Sequence, residues 1–185
     1  MAGTTTGTIR RPVPRVPGSR VPVFLGIDHG TRRVGIAASD PDAAFAFAVG
    51  THVEGRDGSL LAFVADLVRE RGAVGVVVGL PLTADGAEGE SALRARRFAE
   101  RRAASLPVPV ELWDERYTSQ EADRYLPARA GRPRDRGERD AVAAELILQG
   151  WLDHRAGHLA RGKAMPDPAA DGTDDPGAGR GGDGA

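Results

Sequence analysis

The chain has 185 residues, with 25 Lys plus Arg against 26 Asp plus Glu, 41% apolar residues, 25 Gly, 13 Pro and no Cys. This length suits one core, the missing cysteines exclude disulfides, thiolate zinc sites and cysteine nucleophiles, and a net charge of −1 excludes capture of nucleic acid by overall charge. No run approaches the ~18 apolar residues of a membrane span, and no hydrophobic signal segment follows the basic start, so a soluble cytoplasmic protein is expected.

Charge is distributed unevenly. Residues 1–22 carry Arg10, Arg11, Arg15 and Arg20 and no acid, whereas residues 163–185 carry Lys163 and Arg180 against five Asp. Both ends are rich in Pro or Gly and poor in apolar groups, and they read as disordered tails over 1–22 and 159–185 around a folded domain at 23–158.

Within that domain, Val23-Phe24-Leu25-Gly26-Ile27 is an apolar run closed by Asp28, and Val34 to Ala38 follows across His29-Gly30-Thr31-Arg32-Arg33. This is a strand, a turn and a second strand, with a third predicted over Phe45 to Val53. Ser59 to Arg71 places Leu60, Phe63, Val64, Leu67 and Val68 at helical spacing before Gly72. Val74 to Gly79 is a continuous apolar run, the pattern of a strand buried on both faces, and residues 80–89 form a loop. An Arg/Ala-rich helix over 91–106, a strand from Val108 to Trp113, a helix from Ser119 to Arg129 and a last helix from Glu138 to about His154 complete the order. Three strands followed by alternating helices and strands predict an α/β fold with a mixed sheet: an antiparallel meander continued by parallel crossovers.

Several acids fall where acids are costly. Asp28 ends a buried strand, the place where open α/β sheets hold ligands, although a turn aspartate before Gly30 is a common structural device. Asp140 lies within roughly 100° of Ala144, Ile147, Leu148 and Trp151 around one helix, so the face that must enter the core begins with a charge. The helix dipole favours an acid in a first turn but does not require it on the apolar stripe. Asp114 and Glu115 close the strand ending at Trp113; adjacent positions point to opposite faces, so one of the two is expected beside Asp28, and Arg116 is a salt-bridge partner for either. Carboxylates converging in a partly dry cleft repel one another and are driven toward protonation unless a cation is supplied. Mg2+ or Mn2+, as a two-metal site, suits oxygen donors and phosphodiester hydrolysis.

Basic groups are weaker guides. Arg94, Arg97 and Arg101 form a stripe on one helix fit to track a phosphate backbone, although a solvated face is the better explanation. Arg129, Arg132, Arg134, Arg136 and Arg139 lead into Asp140, and Gly30 and Thr31 form a turn able to approach a phosphate. His154 and His158 have i,i+4 metal spacing but no evident third ligand, so a frayed helix end is expected there.

Four blocks in order, LGIDHGTRRVGIAASD, VVVGLPLTADGAEGE, LWDERYTSQEA and RDAVAAELILQGWLD, resemble the YqgF/RuvX family across about residues 23–153. The resemblance implies a ribonuclease H-like fold with a five-stranded sheet flanked by helices, and hydrolase activity as a nuclease of pre-16S rRNA in ribosome biogenesis; older descriptions of the family are as a Holliday junction resolvase. It places an acidic, metal-binding triad on Asp28, Glu115 and Asp140, with Asp114 the alternative to Glu115. Gly30, Thr31, Arg32, Arg116, Arg136 and Arg139 become the expected nucleic-acid contacts. The expected partner is pre-16S rRNA ahead of a DNA junction, with a pre-ribosomal particle as context, no membrane, and a monomer or homodimer as the state. Two readings of other classes stand beside it: a non-catalytic RNA-binding ribosome assembly factor, and an actin-like ATPase suggested by GIDHGT, for which the chain is too short to build a second lobe.

Overall fold

The computed structural model describes residues 22–53, 59–103, 105–116 and 135–162. Among them, strands β1 (Val23–His29), β2 (Arg33–Ser39), β3 (Ala46–Val53), β4 (Ala73–Leu80) and β5 (Val110–Asp114) alternate with helices α1 (Ser59–Arg71), α2 (Glu90–Ala103) and α3 (Arg136–Ala160). The sheet order is β3-β2-β1-β4-β5. β1 pairs antiparallel with β2, and β2 with β3, while β4 runs parallel to both β1 and β5. The predicted meander with parallel crossovers is therefore the observed sheet. The helix expected over 119–129, the basic residues Arg129, Arg132 and Arg134, and residues 1–21 and 163–185 of the expected tails lie outside the described residues; the tail expected from 159 begins later, because 159 and 160 complete the last turn of α3.

Side chains alternate across each strand and split the core in two. On one face Leu25, Ile27, Val34, Ile36, Val76 and Val78 pack with Leu60, Val64 and Leu67 of α1 and Ala95 and Phe98 of α2. On the other, Phe24, Ala37, Val77 and Trp113 pack with Ala144, Ile147, Leu148 and Trp151 of α3. Each fully buried Leu, Ile or Val contributes about 1.5–3 kcal/mol of transfer free energy. Two glycines let α3 sit deep on the sheet. A methyl group at Gly26 would lie 2.7 Å from Leu148 Cβ and 2.8 Å from the Ala144 carbonyl oxygen, and one at Gly35 would lie 1.8 Å from the Asp140 carbonyl oxygen.

Helix α3 departs from its expected bounds at both ends. It begins at Arg136 because the Asp135 side chain accepts a 2.8 Å hydrogen bond from the Glu138 amide, and an Asp followed three residues later by Glu is a capping signature. At the other end it does not fray at the histidines but runs through them to Ala160. The His154 ring packs against Trp113 with centroids 5.1 Å apart, and its Nε2 stands 3.1 Å from that of His158. Strand β5 begins at Val110, later than expected: Pro109 has no N–H to give a ladder, although its carbonyl accepts a 2.9 Å bond from the Val76 amide.

The outer edge of β3 is closed by α3. The amides of Ala46 and Ala48 donate to Gln149 Oε1 and Glu145 Oε2, each at 2.8 Å, so backbone donors that would otherwise invite another strand are occupied.

Candidate active site

Period-two alternation along β1 sends Leu25 and Ile27 toward α1 and α2, and Phe24, Gly26 and Asp28 toward α3. Asp28 is directly opposite Gly35 on β2, and the space a side chain at 35 would fill is taken by the Asp140 backbone. Lack of a side chain on β2 thus seats the first exposed turn of α3 against the strand position beside Asp28.

Glu115 arrives from the other side. After β5 the chain turns helical, and the Glu115 carboxylate folds back over Gly79, where a methyl group would meet Oε1 at 2.5 Å and Ile147 Cδ1 at 2.6 Å. Gly79 follows Val78, the partner of Ile27 across the parallel β1–β4 pair, so Glu115 lies next to Asp28 on the same face. Asp114 is held elsewhere: Arg116 donates to it from its backbone N at 2.9 Å, from Nε at 3.0–3.1 Å and from a terminal nitrogen at 2.7 Å. The salt bridge open to either acid belongs to Asp114.

The electrostatics follow this division. Burial, and after it the charge of Asp140, push the Asp28 carboxyl up from 3.8 to about 6. Burial again, then the charges of Asp28 and Asp114, push Glu115 up from 4.5 to about 7. For Asp114 burial opposes ionisation, but hydrogen bonds and charge from Arg116 outweigh it and leave the carboxyl below its ordinary range. Asp140 is bound by Arg33, whose Nε donates to Oδ2 at 2.5 Å. Asp28 is therefore central, coupled to Asp140 on one side and Glu115 on the other. Among the described residues, no three Asp, Glu or His side chains stand close enough together to hold a single ion.

The expected basic contacts are dispersed. Gly30 is required by its turn, since a methyl group there would lie 2.6 Å from the Arg33 carbonyl oxygen, and Thr31 and Arg32 are exposed beside it. Arg136 and Arg139 are exposed on the first turn of α3, next to Asp140. Arg116 is engaged with Asp114 and approaches Gly86 in the β4–α2 loop. That loop closes on itself through a Leu82–Glu88 bridge and Thr83 hydrogen bonds. Arg94 turns back onto Ser91 and Glu90, and its helix covers the sheet face opposite the carboxylates. Sequence reasoning missed Arg33 as the partner of Asp140. The available signal was its place at the head of the Arg33-x-Gly35-x-Ala37 alternation.

Residues 22–154 match the family described as "RuvX: Holliday junction resolvase". A protein of Anaeromyxobacter dehalogenans named "Putative pre-16S rRNA nuclease" is 50% identical over 133 residues, covering 71% of this chain and 97% of that relative. A Synechocystis protein of the same name is 41% identical over 139 residues, covering 75% and 91%. Among solved structures, Thermus thermophilus RuvC in complex with Holliday junction substrate superposes with a TM-score of 0.51 at 18% identity, covering 74% of this chain and 96% of that one; this likeness supports the ribonuclease H-like fold. The chain belongs to the RuvX/YqgF family of nucleases.

Proposed function

We propose that the protein is a divalent-metal-dependent endonuclease that trims the 5′ end of pre-16S rRNA, with Asp28, Glu115 and Asp140 as its catalytic and metal-holding residues. The observation that carries this is Asp28, a half-buried carboxylate flanked by two others and pushed toward protonation at about 6. An arrangement that disfavours its own charges is one that a cation relieves. The donor set is all carboxylate oxygen, which fits hard ions such as Mg2+ or Mn2+ and not thiolate-seeking metals. When bound, such ions activate water and neutralise the leaving oxygen of a phosphodiester. Asp28 lies between the other two acids and so serves both sides of the site, while Glu115 and Asp140 close it from β5 and α3. Arg136, Arg139 and Arg32 are exposed around it to meet backbone phosphates, and the Gly30-Thr31 turn allows close approach. The substrate rests on the names of the relatives.

The test is cleavage of a pre-16S fragment carrying its 5′ leader, with Mg2+, Mn2+ or chelator. Asp28→Asn should retain the fold by circular dichroism and lose about a thousandfold or more in rate; unchanged metal-dependent cleavage removes Asp28 from the chemistry. The family's own description favours a second substrate, a DNA four-way junction, which belongs in the same assay. Symmetric junction cleavage together with an inert rRNA fragment would replace the first reading. Full support of ribosome maturation in cells by the Asp28→Asn protein would instead indicate an assembly factor without catalysis.

A further inference from the structure

Arg33 heads β2 and, with Gly35 and Ala37, faces α3. Its Nε–Oδ2 bond to Asp140, at 2.5 Å, is charge-assisted and short, yet the two side chains remain 35% and 26% exposed. A pair this open is exchangeable, unlike a buried bridge whose separation strands two charges. Among the described residues, Asp140 is the only member of the carboxylate trio with an ion-pair partner.

We infer that Arg33 is a resident substitute for a cation at Asp140: its guanidinium holds that carboxylate in the free protein and gives it up when a divalent ion enters, becoming available to a substrate phosphate. The inference rests on the metal-dependent reading above. An oxygen engaged by a guanidinium and an oxygen engaged by a divalent ion are competing states, because the two cations repel at contact distance. Two states that exclude one another make a linkage: whatever draws Arg33 off Asp140 strengthens ion binding, and the ion in turn frees Arg33. A nucleic-acid phosphate matches the guanidinium fork better than a water shell does. Substrate and ion therefore assist each other through a single side chain.

The experiment measures Mn2+ affinity of the full chain by the free-ion electron paramagnetic resonance signal, without nucleic acid, at mildly alkaline pH. Wild type, Arg33→Gln and Asp28→Asn are compared. Arg33→Gln should bind Mn2+ about fivefold more tightly than wild type. A 2′-O-methyl leader oligonucleotide should raise the Mn2+ affinity of wild type and change that of Arg33→Gln much less. Equal or weaker Mn2+ binding by a folded Arg33→Gln protein overturns the inference while leaving the metal-dependent reading intact. Failure of wild type to bind Mn2+ more tightly than Asp28→Asn overturns both. Because the substitution can also unseat α3, a second readout uses the unaltered protein: the 15N-labelled Arg33 Nε–H resonance should be protected from solvent exchange in the free state and lose that protection at saturating Mg2+. A resonance that stays protected at saturation identifies a permanent strut instead.

Discussion

Asp28 and Glu115 bear charges that their surroundings resist, with carboxyl groups displaced from 3.8 to about 6 and from 4.5 to about 7. An acid whose folded-state value is raised contributes most to stability below its ordinary value, and that contribution is lost as pH rises through the raised one. In chelator, the melting temperature of wild type should therefore fall relative to that of Asp28→Asn/Glu115→Gln between about pH 4 and pH 7. Saturating Mg2+ should reverse much of the difference, since the ion replaces the missing countercharge. Thermal unfolding across that window checks both statements, and parallel curves for the two proteins in chelator would show that the carboxylates do not strain the fold. At this scale the sequence was partly legible. Asp28 stood out as an acid ending an apolar strand, and Asp140 as one on an apolar helical stripe. The choice between Asp114 and Glu115 was not legible, because strand alternation stops where the chain turns helical and only the Arg116 contacts separate them. Arg33 read as one more turn charge, since its partner lies 107 residues away.

Helix α3 is the element on which the site depends. Its N-cap, its seat on Gly26 and Gly35, and its bonds to the β3 edge fix Asp140 relative to β1. Gly35→Ala would put a methyl group against backbone rather than against a side chain that can rotate away. The expected result is a loss of about 1–3 kcal/mol in chemical denaturation, with metal affinity reduced beyond what Asp140→Asn alone removes. A fully stable Gly35→Ala protein would mean that α3 docks less tightly than described. Most strands and helices were evident from apolar spacing. The start of α3 was hidden because Gly137 interrupts the helical pattern while Asp135 and Glu138 supply the capping signal. Its continuation through His154 and His158 was hidden because packing of His154 on Trp113 is a tertiary effect.

For the whole molecule, the arrangement of strands follows from their order: a meander cannot join parallel crossovers on a shared strand except in a mixed sheet. No described helix is long and apolar enough to cross a membrane. With a net charge of −1, affinity for RNA must come from local arginines rather than from the overall field. Arg10, Arg11, Arg15 and Arg20 precede the sheet without an intervening acid. Removing residues 1–20 should therefore lower the slope of log affinity against log salt by up to about three, at roughly 0.7 per arginine on single-stranded RNA. Binding titrations at several salt concentrations measure it, and an unchanged slope would show that these arginines do not reach the substrate.

The contact between Gly35 and the Asp140 carbonyl also offers a way to recognise loss of function among duplicated genes. If Asp140 serves the chemistry proposed above, a copy that keeps every acidic residue is expected to lose activity once position 35 has acquired even one carbon, because the lever that carries Asp140 then no longer comes to rest in place. Nuclease assays on natural copies that differ at that single atom would check this expectation without any engineered substitution.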